Sequence, residues 1–322
     1  MTPSPLLDVR GLKKHFILSH GNLFFQKKIL YAVDGITFTM NTGETLGIVG
    51  ESGCGKTTAG KCILRLVNPT HGRIFMDGED LTAASPDTLR KIRLKIQFIF
   101  QDPYSSLNPR MTVGQIVAEP LTIHSICKGN EKREKVKSLL QRVGLPPESY
   151  YRFPHEFSGG QRQRVGIARA LALNPKLVIC DEPVSALDVS IQSQVLNLMK
   201  ELQDELGIAF LFISHGLAAV KHISQRIAVM YLGKFVELVE TESLFAKPLH
   251  PYTEALLSAI PVPDPEIKRD RIILEGDVPS PVDPPSGCHF HTRCRYAMPI
   301  CREHSPEWKQ VEEGHFVACH LH

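Results

Sequence analysis

The residues with the clearest chemical meaning form a glycine-rich loop that fits the phosphate-binding sequence G-x-x-x-x-G-K-[ST] without a mismatch. It consists of Gly50, Glu51, Ser52, Gly53, Cys54, Gly55, Lys56, Thr57 and Thr58. An apolar run, Thr45 to Val49, predicts a buried strand before the loop, and apolar residues recur at helical spacing after it. Loop N–H groups and a helix N-terminus bind phosphate oxygens, so we predict a nucleotide site. Lys56 would reach the β- and γ-phosphates, and the Thr57 hydroxyl would ligate Mg²⁺.

A second apolar run, Leu177 to Cys180, ends in two adjacent carboxylates, Asp181 and Glu182. Paired acids after a strand are often only the charged start of a helix. With a phosphate loop upstream, divided roles are the stronger interpretation. Asp181 would hold Mg²⁺, directly or through water, and Glu182 would polarise the attacking water as the general base.

Further polar residues follow predicted strands or open a helix. Gln101 ends the run Ile96 to Phe100, and His215 follows the run Ala209 to Ser214. Gln101 alone is by default a polar cap of its strand, and a lone histidine at a strand end is usually structural, but His215 would point to the sheet edge that carries the carboxylates. A second glycine turn precedes another helix, and its Ser158 can cap that helix beside N–H groups able to hold an anion.

Phe16 lies about thirty residues before the phosphate loop, near a strand-like stretch. A nucleotide base needs a flat apolar face, although a lone aromatic beside a strand is more often part of the core. Both interpretations of Phe16 stay open on spacing alone.

Composition limits the class of protein. The chain has 322 residues, 43% of them hydrophobic, and a net charge of +3, which is too mild to indicate nucleic-acid binding. Its longest apolar runs have six residues, well short of the roughly 18 needed to cross a bilayer. The N-terminus lacks a charged segment followed by an apolar one, so we expect a cytoplasmic protein.

Five elements stand in one order: the phosphate loop, Gln101, the turn at Ser158, the two carboxylates and His215. In this order they resemble the ATP-binding subunit of ABC transporters, over about residues 6 to 250. The resemblance narrows to the branch that takes up oligopeptides and dipeptides. It is carried there by residues 47–55, 100–109 and 158–164 and by His250-Pro251-Tyr252.

The resemblance implies an ATPase coupled to transmembrane transport, with ATP and Mg²⁺ at a shared site. Phe16 would stack on adenine, and His215 would bond the γ-phosphate. Gln101 would touch Mg²⁺ and the attacking water, with Thr57 and Asp181 as the other metal ligands. The signature that acts on ATP bound to the opposing cassette would be Ser158, Gly159, Gly160 and Gln161.

The same resemblance implies partners and a location. Asp188 would sit at the contact between cassettes, and Asn108 would face the membrane partner. The partners would be a second ATP-binding subunit, usually a related chain, two permease subunits and an extracytoplasmic peptide-binding protein. The protein would lie at the cytoplasmic face of the inner (plasma) membrane. Two residues depart from the family pattern: Phe157 replaces a leucine, and Gly216 replaces the aspartate after the histidine.

The C-terminal tail is rich in proline and then in cysteine. Prolines predict an extended arm with one short helix near Thr253 to Ile260. Four of the eight cysteines crowd the last 35 residues: Cys288, Cys294, Cys301 and Cys319. Without a C-x-x-C knuckle, four thiolates suit an iron–sulfur cluster at least as well as zinc, and a tail without metal is a third possibility. The resemblance favours a [4Fe–4S] cluster with a structural or regulatory role.

We therefore predict an α/β P-loop NTPase fold of the ABC-cassette kind. Its core would be a mixed sheet flanked by helices, accompanied by an antiparallel β subdomain and by a helical subdomain at about residues 105–172. The cassette would span residues 1–250, the proline-rich arm 251–287 and a small cysteine cluster domain 288–322. Alternatives are the motor of a nickel, glutathione or antimicrobial-peptide importer, a non-transport ABC ATPase, or a redox sensor.

Overall fold

The computed structural model describes residues 4–18, 28–260 and 272–322. Part of the predicted proline-rich arm, residues 261–271, therefore lies outside the described residues. The strands are β1 (Leu7–Leu18), β2 (Lys28–Met40), β3 (Thr45–Val49), β4 (His71–Met76), β5 (Glu79–Asp80), β6 (Ile96–Ile99), β7 (Leu177–Asp181), β8 (Ala209–Ile213), β9 (Arg226–Tyr231), β10 (Lys234–Glu240), β11 (Lys309–Glu312) and β12 (His315–Val317).

The α-helices are α1 (Lys56–Ile63), α2 (Pro86–Lys95), α3 (Pro103–Ser106), α4 (Val113–Ile123), α5 (Gly129–Arg142), α6 (Gly159–Leu171), α7 (Val189–Leu206), α8 (Leu217–Ile223), α9 (Thr241–Ala246), α10 (Pro251–Ser258) and α11 (Pro299–Glu303). Among the described residues, none of these helices combines the length and the apolar character needed to cross a membrane.

The chain divides into two compact units. The first contains residues up to 40, 45–83 and 215–322. Its antiparallel sheet has the order β2-β1-β4-β5, with β1 paired to β2 and β4. A second set of strands runs β11-β12-β10-β9-β3, in which β3 and β9 are parallel and the other pairs antiparallel. All five residues of β3 are buried, so this strand is covered on both faces, as its unbroken apolar sequence predicts.

The second unit contains residues 41–44 and 84–214. Its strands β8, β7 and β6 are parallel, with Leu177 opposite both Ile96 and Ala209. Helix α7 has an apolar face and ends at Gly207, whose φ of 64° is a left-handed conformation that glycine adopts without strain. Helices α3 to α6 of this unit occupy the sequence for which a helical subdomain is predicted.

The C-terminal residues extend the sheet of the first unit. Strand β12 pairs with β10, placing Glu237 opposite Val317, and β11 pairs with β12. A separate cysteine-rich domain at 288–322 is therefore not supported. The spacing of the cysteines carries no information on the two short strands between Cys301 and Cys319, and those strands join the tail to the cassette.

Buried Glu237 anchors this junction. Its carboxylate accepts hydrogen bonds from His315 Nε2 at 2.8 Å and from the N–H groups of Leu249 and His250 at 2.8 and 3.0 Å. Burial alone would raise the pKa of Glu237, but these hydrogen bonds hold it below its usual value. The charged carboxylate is thus favoured in the folded protein.

Replacing Glu237 by glutamine should lower the free energy of unfolding by about 3 kcal/mol at neutral pH, because it breaks a buried hydrogen-bonded charge network. The pKa of Glu237 is lower in the folded protein than in the unfolded chain. The carboxylate therefore contributes its full stabilisation above the pKa of the unfolded state, and this stabilisation is lost as the pH falls through the pKa of the folded state. Denaturant unfolding at pH 7 and in mild acid measures both effects. Glu312→Gln is the matched control, because Glu312 pairs with Lys247 on the surface, and it should leave stability unchanged. Equal behaviour of the two variants would contradict the role given to Glu237.

Candidate active site

The phosphate loop joins β3 to α1 in the first unit, as the sequence predicts. Gly55 precedes α1 with φ 108°, and a Cβ atom there would lie 1.9 Å from the carbonyl oxygen of Ala32. Only glycine combines that φ with that close approach. The backbone of the loop is thus fixed by the strand beside it.

Lys56 is 5% exposed, and its ammonium group lies inside the loop. Its Nζ donates to the carbonyl oxygens of Gly50 at 2.8 Å and of Glu51 at 2.9 Å. Nearby, burial raises the pKa of the Cys54 thiol against the opposing influence of Lys56, which favours the neutral thiol. A compact cation held among backbone groups can bind phosphate oxygens.

Two residues from the C-terminal part of the chain contact Glu51, which the motif itself leaves unspecified. Arg293 donates to both carboxylate oxygens of Glu51, at 2.8 and 3.1 Å, and the Glu51 N–H donates to the Tyr252 hydroxyl at 2.9 Å. Sequence reasoning missed both contacts. In the sequence, Tyr252 stands out only as part of a family motif, and Arg293 lies among the cysteines in no recognisable motif of its own.

In the second unit, Asp181 ends β7 and is 3% exposed. The next residue, Glu182, has φ 47°, a strained value for glutamate. Its N–H donates to the Ile213 carbonyl oxygen at 2.8 Å, and its carboxylate accepts a hydrogen bond from Gln101 Nε2 at 3.2 Å. Such strain occurs at functional sites. The structure therefore brings together Gln101 and Glu182, two of the predicted catalytic residues.

The predicted signature begins α6 in the same unit. Ser158 Oγ accepts from the Gln161 N–H at 3.3 Å, and Gln161 Oε1 accepts from the Ser158 N–H at 3.0 Å, which forms a capping box. A Cβ at Gly160 would lie 2.3 Å from Ile191 Cγ2, so glycine allows α7 to approach closely. Ser158 and Gln161 are exposed at the helix start.

The other predicted site residues lie in different elements and loops of the two units. His215 is exposed just before α8 in the first unit, whereas Asp188 caps α7 by accepting from the Ile191 N–H at 3.0 Å. Phe16 is half-buried in β1 with the Lys14 ammonium 4.7 Å from its ring centre. Asn108 Oδ1 accepts from the Arg110 N–H at 3.0 Å. Their roles toward ATP and partner proteins stay predictions.

The four tail cysteines interact, but they do not form a metal site. The pKa of Cys288 is raised to about 11, mainly by burial and in smaller part by the charges of Cys301, Cys319 and Cys294. Across residues 4–18, 28–260 and 272–322, no three or more His, Cys, Asp or Glu side chains are grouped so that they could hold a metal ion. Without such a grouping, the four thiols do not fit a four-thiolate cluster. The predicted [4Fe–4S] cluster, and zinc in its place, are therefore not supported.

Magnesium is different, because it needs few protein ligands. The donors predicted for it are the Thr57 hydroxyl, the Gln101 amide and the Asp181 carboxylate, all of them oxygen groups. Mg²⁺ is usually bound by one or two carboxylates together with substrate phosphates and water. The chemistry of this donor set therefore fits the ion.

Comparisons with known proteins agree with this geometry. A family model of ABC transporters matches residues 33–185, and one of the oligopeptide/dipeptide transporter C-terminal region matches residues 236–301. The chain is 56% identical to the oligopeptide transport ATP-binding protein AppF of Bacillus subtilis (strain 168), over 98% of this chain and 97% of that protein. It is 55% identical to the putative oligopeptide transport ATP-binding protein YkfD of the same organism, over 99% and 96% of the two chains. The dimeric structure of MJ0796, a bacterial ABC transporter cassette, matches 73% of this chain and 98% of its own at 29% identity, with a TM-score of 0.65.

The fold and the phosphate loop define a P-loop ATPase of the ATP-binding cassette class. Within that class, the chain belongs to the ATP-binding proteins of the oligopeptide/dipeptide family of ABC transporters. The family predicted from the five ordered motifs is confirmed, as is the cassette fold with its mixed sheets and helices. The protein is thus an ATP-binding subunit whose ATPase activity is coupled to transport.

Proposed function

We propose that this chain hydrolyses ATP to power the import of oligopeptides or dipeptides through a membrane complex. The observation that carries the proposal is the likeness to AppF along nearly the whole chain, which includes the C-terminal region typical of peptide transporters. That region begins inside β10 and includes Tyr252 and Arg293, which contact Glu51 of the phosphate loop. The similarity that supports peptide transport therefore covers a larger part of the chain than the ATPase motifs cover.

Residues 50–58 would hold the phosphates of ATP, with Lys56 neutralising their charge. Thr57, Gln101 and Asp181 would hold Mg²⁺, which screens phosphate charge when it is bound. Glu182 would accept a proton from the attacking water, and Gln101, already hydrogen-bonded to Glu182, would orient that water. His215 would donate a hydrogen bond to the γ-phosphate, and Phe16 would stack on the adenine.

Each ATP site is proposed to be formed by residues of two cassettes. Ser158 to Gln161 of this chain would contact ATP held by the loop of a partner cassette, with Asp188 at the contact between them. A similar cassette, MJ0796, has been solved as a dimer. The partner would be a second ATP-binding subunit, and the pair would lie on the cytoplasmic face of the membrane against two permeases served by a peptide-binding protein.

Uptake measurements test the peptide assignment. Cells lacking this chain should lose uptake of a radiolabelled oligopeptide or dipeptide, and the full chain should restore it while Lys56→Ala should not. Unlabelled peptides should compete for uptake, whereas nickel salts and glutathione should not. Normal peptide uptake in the deletion strain, or competition by nickel or glutathione alone, would contradict the proposal. Purification of the native complex identifies the co-purifying subunits.

A further inference from the structure

Three groups of Glu51, the second residue of the phosphate loop, form hydrogen bonds. The Glu51 carbonyl oxygen accepts from Lys56 Nζ, its N–H donates to the Tyr252 hydroxyl, and its carboxylate is bound bidentately by Arg293. Lys56 belongs to the loop, whereas Tyr252 and Arg293 belong to the C-terminal part of the chain. Glu51 is thus the residue through which that part reaches the loop.

The charge of Glu51 gives this contact a consequence for ATP. A carboxylate in a phosphate-binding loop repels the triphosphate that the loop must accept. Arg293 compensates the charge from a position where its side chain is only 7% exposed, so solvent screens the pair weakly. Bidentate geometry also fixes the direction of the carboxylate. Without the guanidinium, the unpaired charge of Glu51 would oppose the phosphates.

Arg293 is itself held in a packed segment. Its N–H donates to the Phe290 carbonyl oxygen at 3.0 Å, and the ends of the segment are joined by the Cys288 N–H, which donates to the Cys301 carbonyl oxygen at 2.8 Å. The buried ring of Phe290 packs against Tyr252 and Tyr231, with ring centres 5.4 and 5.2 Å apart. The guanidinium is therefore presented to Glu51 by a fixed backbone.

Tyr252 is fixed as well. Burial lowers the pKa of His250 to about 4, so its ring is neutral, and its Nδ1 accepts a hydrogen bond from the Tyr252 N–H at 3.1 Å. The Tyr252 ring lies 4.8 Å from that of Tyr231, at the end of β9. The tyrosine hydroxyl thus meets the Glu51 N–H from a rigid position.

We propose that Arg293 is a positioning residue for ATP: residues 288–301 complete the phosphate loop by neutralising and orienting Glu51, and the affinity for ATP depends on that contact. The inference rests on the proposed role of residues 50–58. It gives the C-terminal segment a function at the nucleotide site.

The test measures binding of a fluorescent, ribose-labelled ATP analogue with Mg²⁺ to the full-length protein. Arg293→Gln should weaken binding about tenfold, which corresponds to about 1.4 kcal/mol. In the assembled transporter it should raise KM for ATP and leave kcat nearly unchanged. Arg295→Gln is the matched control, because Arg295 lies two residues away and pairs with exposed Glu254, and it should bind like the wild type. Equal affinities of the two variants would overturn the proposal.

A double variant separates positioning from loss of folding. Glu51→Gln with Arg293→Gln leaves no unpaired carboxylate, so it should fold and recover most of the affinity that Arg293→Gln alone loses. A double variant as weak as Arg293→Gln, or weaker, would overturn the proposal. Lys56→Ala tests the site itself: if it binds the analogue normally, the proposed ATP site is wrong. If it loses binding while Arg293→Gln does not, only the positioning role fails.

Discussion

Replacing Glu182 by glutamine is expected to lower ATP hydrolysis by at least about 100-fold, the usual scale of a lost general base. The change keeps the size of the side chain and an oxygen that can accept the hydrogen bond from Gln101, but removes the group that takes a proton from water. Glu182 is held at φ 47° by its N–H bond to Ile213, so its backbone is positioned independently of the side chain. ATP binding should therefore survive.

Phosphate release by the purified transporter measures the rate, and the fluorescent ATP analogue measures binding. Glu201→Gln provides the control, since Glu201 is an exposed carboxylate on α7, and it should hydrolyse ATP at the wild-type rate. Hydrolysis by the Glu182→Gln variant at the wild-type rate would remove Glu182 from the mechanism. Loss of binding in that variant would indicate that the carboxylate holds the site together instead of acting as a base.

Replacing Gly55 by alanine is expected to weaken ATP binding and to lower ATP hydrolysis by about 100-fold, the loss in rate that a misplacement of about 1 Å can cause. The new methyl group would meet the Ala32 carbonyl oxygen at 1.9 Å, and the required φ of 108° would also be strained. The loop would have to move, and Lys56, the next residue, would move with it.

Gly78→Ala isolates the effect of the clash. Gly78 has φ 79°, so alanine is strained there too, but no neighbouring atom lies within 4 Å of the added Cβ. This variant should lose about 1 kcal/mol of stability and keep normal ATP affinity. If Gly55→Ala bound the analogue as tightly as Gly78→Ala, close packing at Gly55 would not be what shapes the loop.

The local elements of the site are the part that the sequence predicts well. Phosphate loops, capped helix starts and short apolar strands depend on neighbouring residues, so the strand before Gly50 and the cap at Ser158 both appear where the sequence indicates. The hydrogen bond between Gln101 and Glu182 joins residues 81 positions apart. It follows from the rule that parallel strands bring their ends to one edge.

The tail could not be predicted in the same way. Arg293 and Glu51 are 242 positions apart, and no local pattern links them. The crowding of cysteines suggested a metal cluster, but spacing along the chain does not fix distances between sulfur atoms. Instead, the tail is joined to the cassette through β12 and through the buried pair of Glu237 and His315.

Peptide uptake by the transporter carrying Glu182→Gln tests the account most directly, because it links the carboxylate, ATP hydrolysis and import in one measurement. In cells or proteoliposomes with the complete complex, the variant should bind ATP and yet import labelled peptide no faster than a complex without ATP. Import at the wild-type rate by the variant would contradict the claim that hydrolysis at Glu182 powers transport.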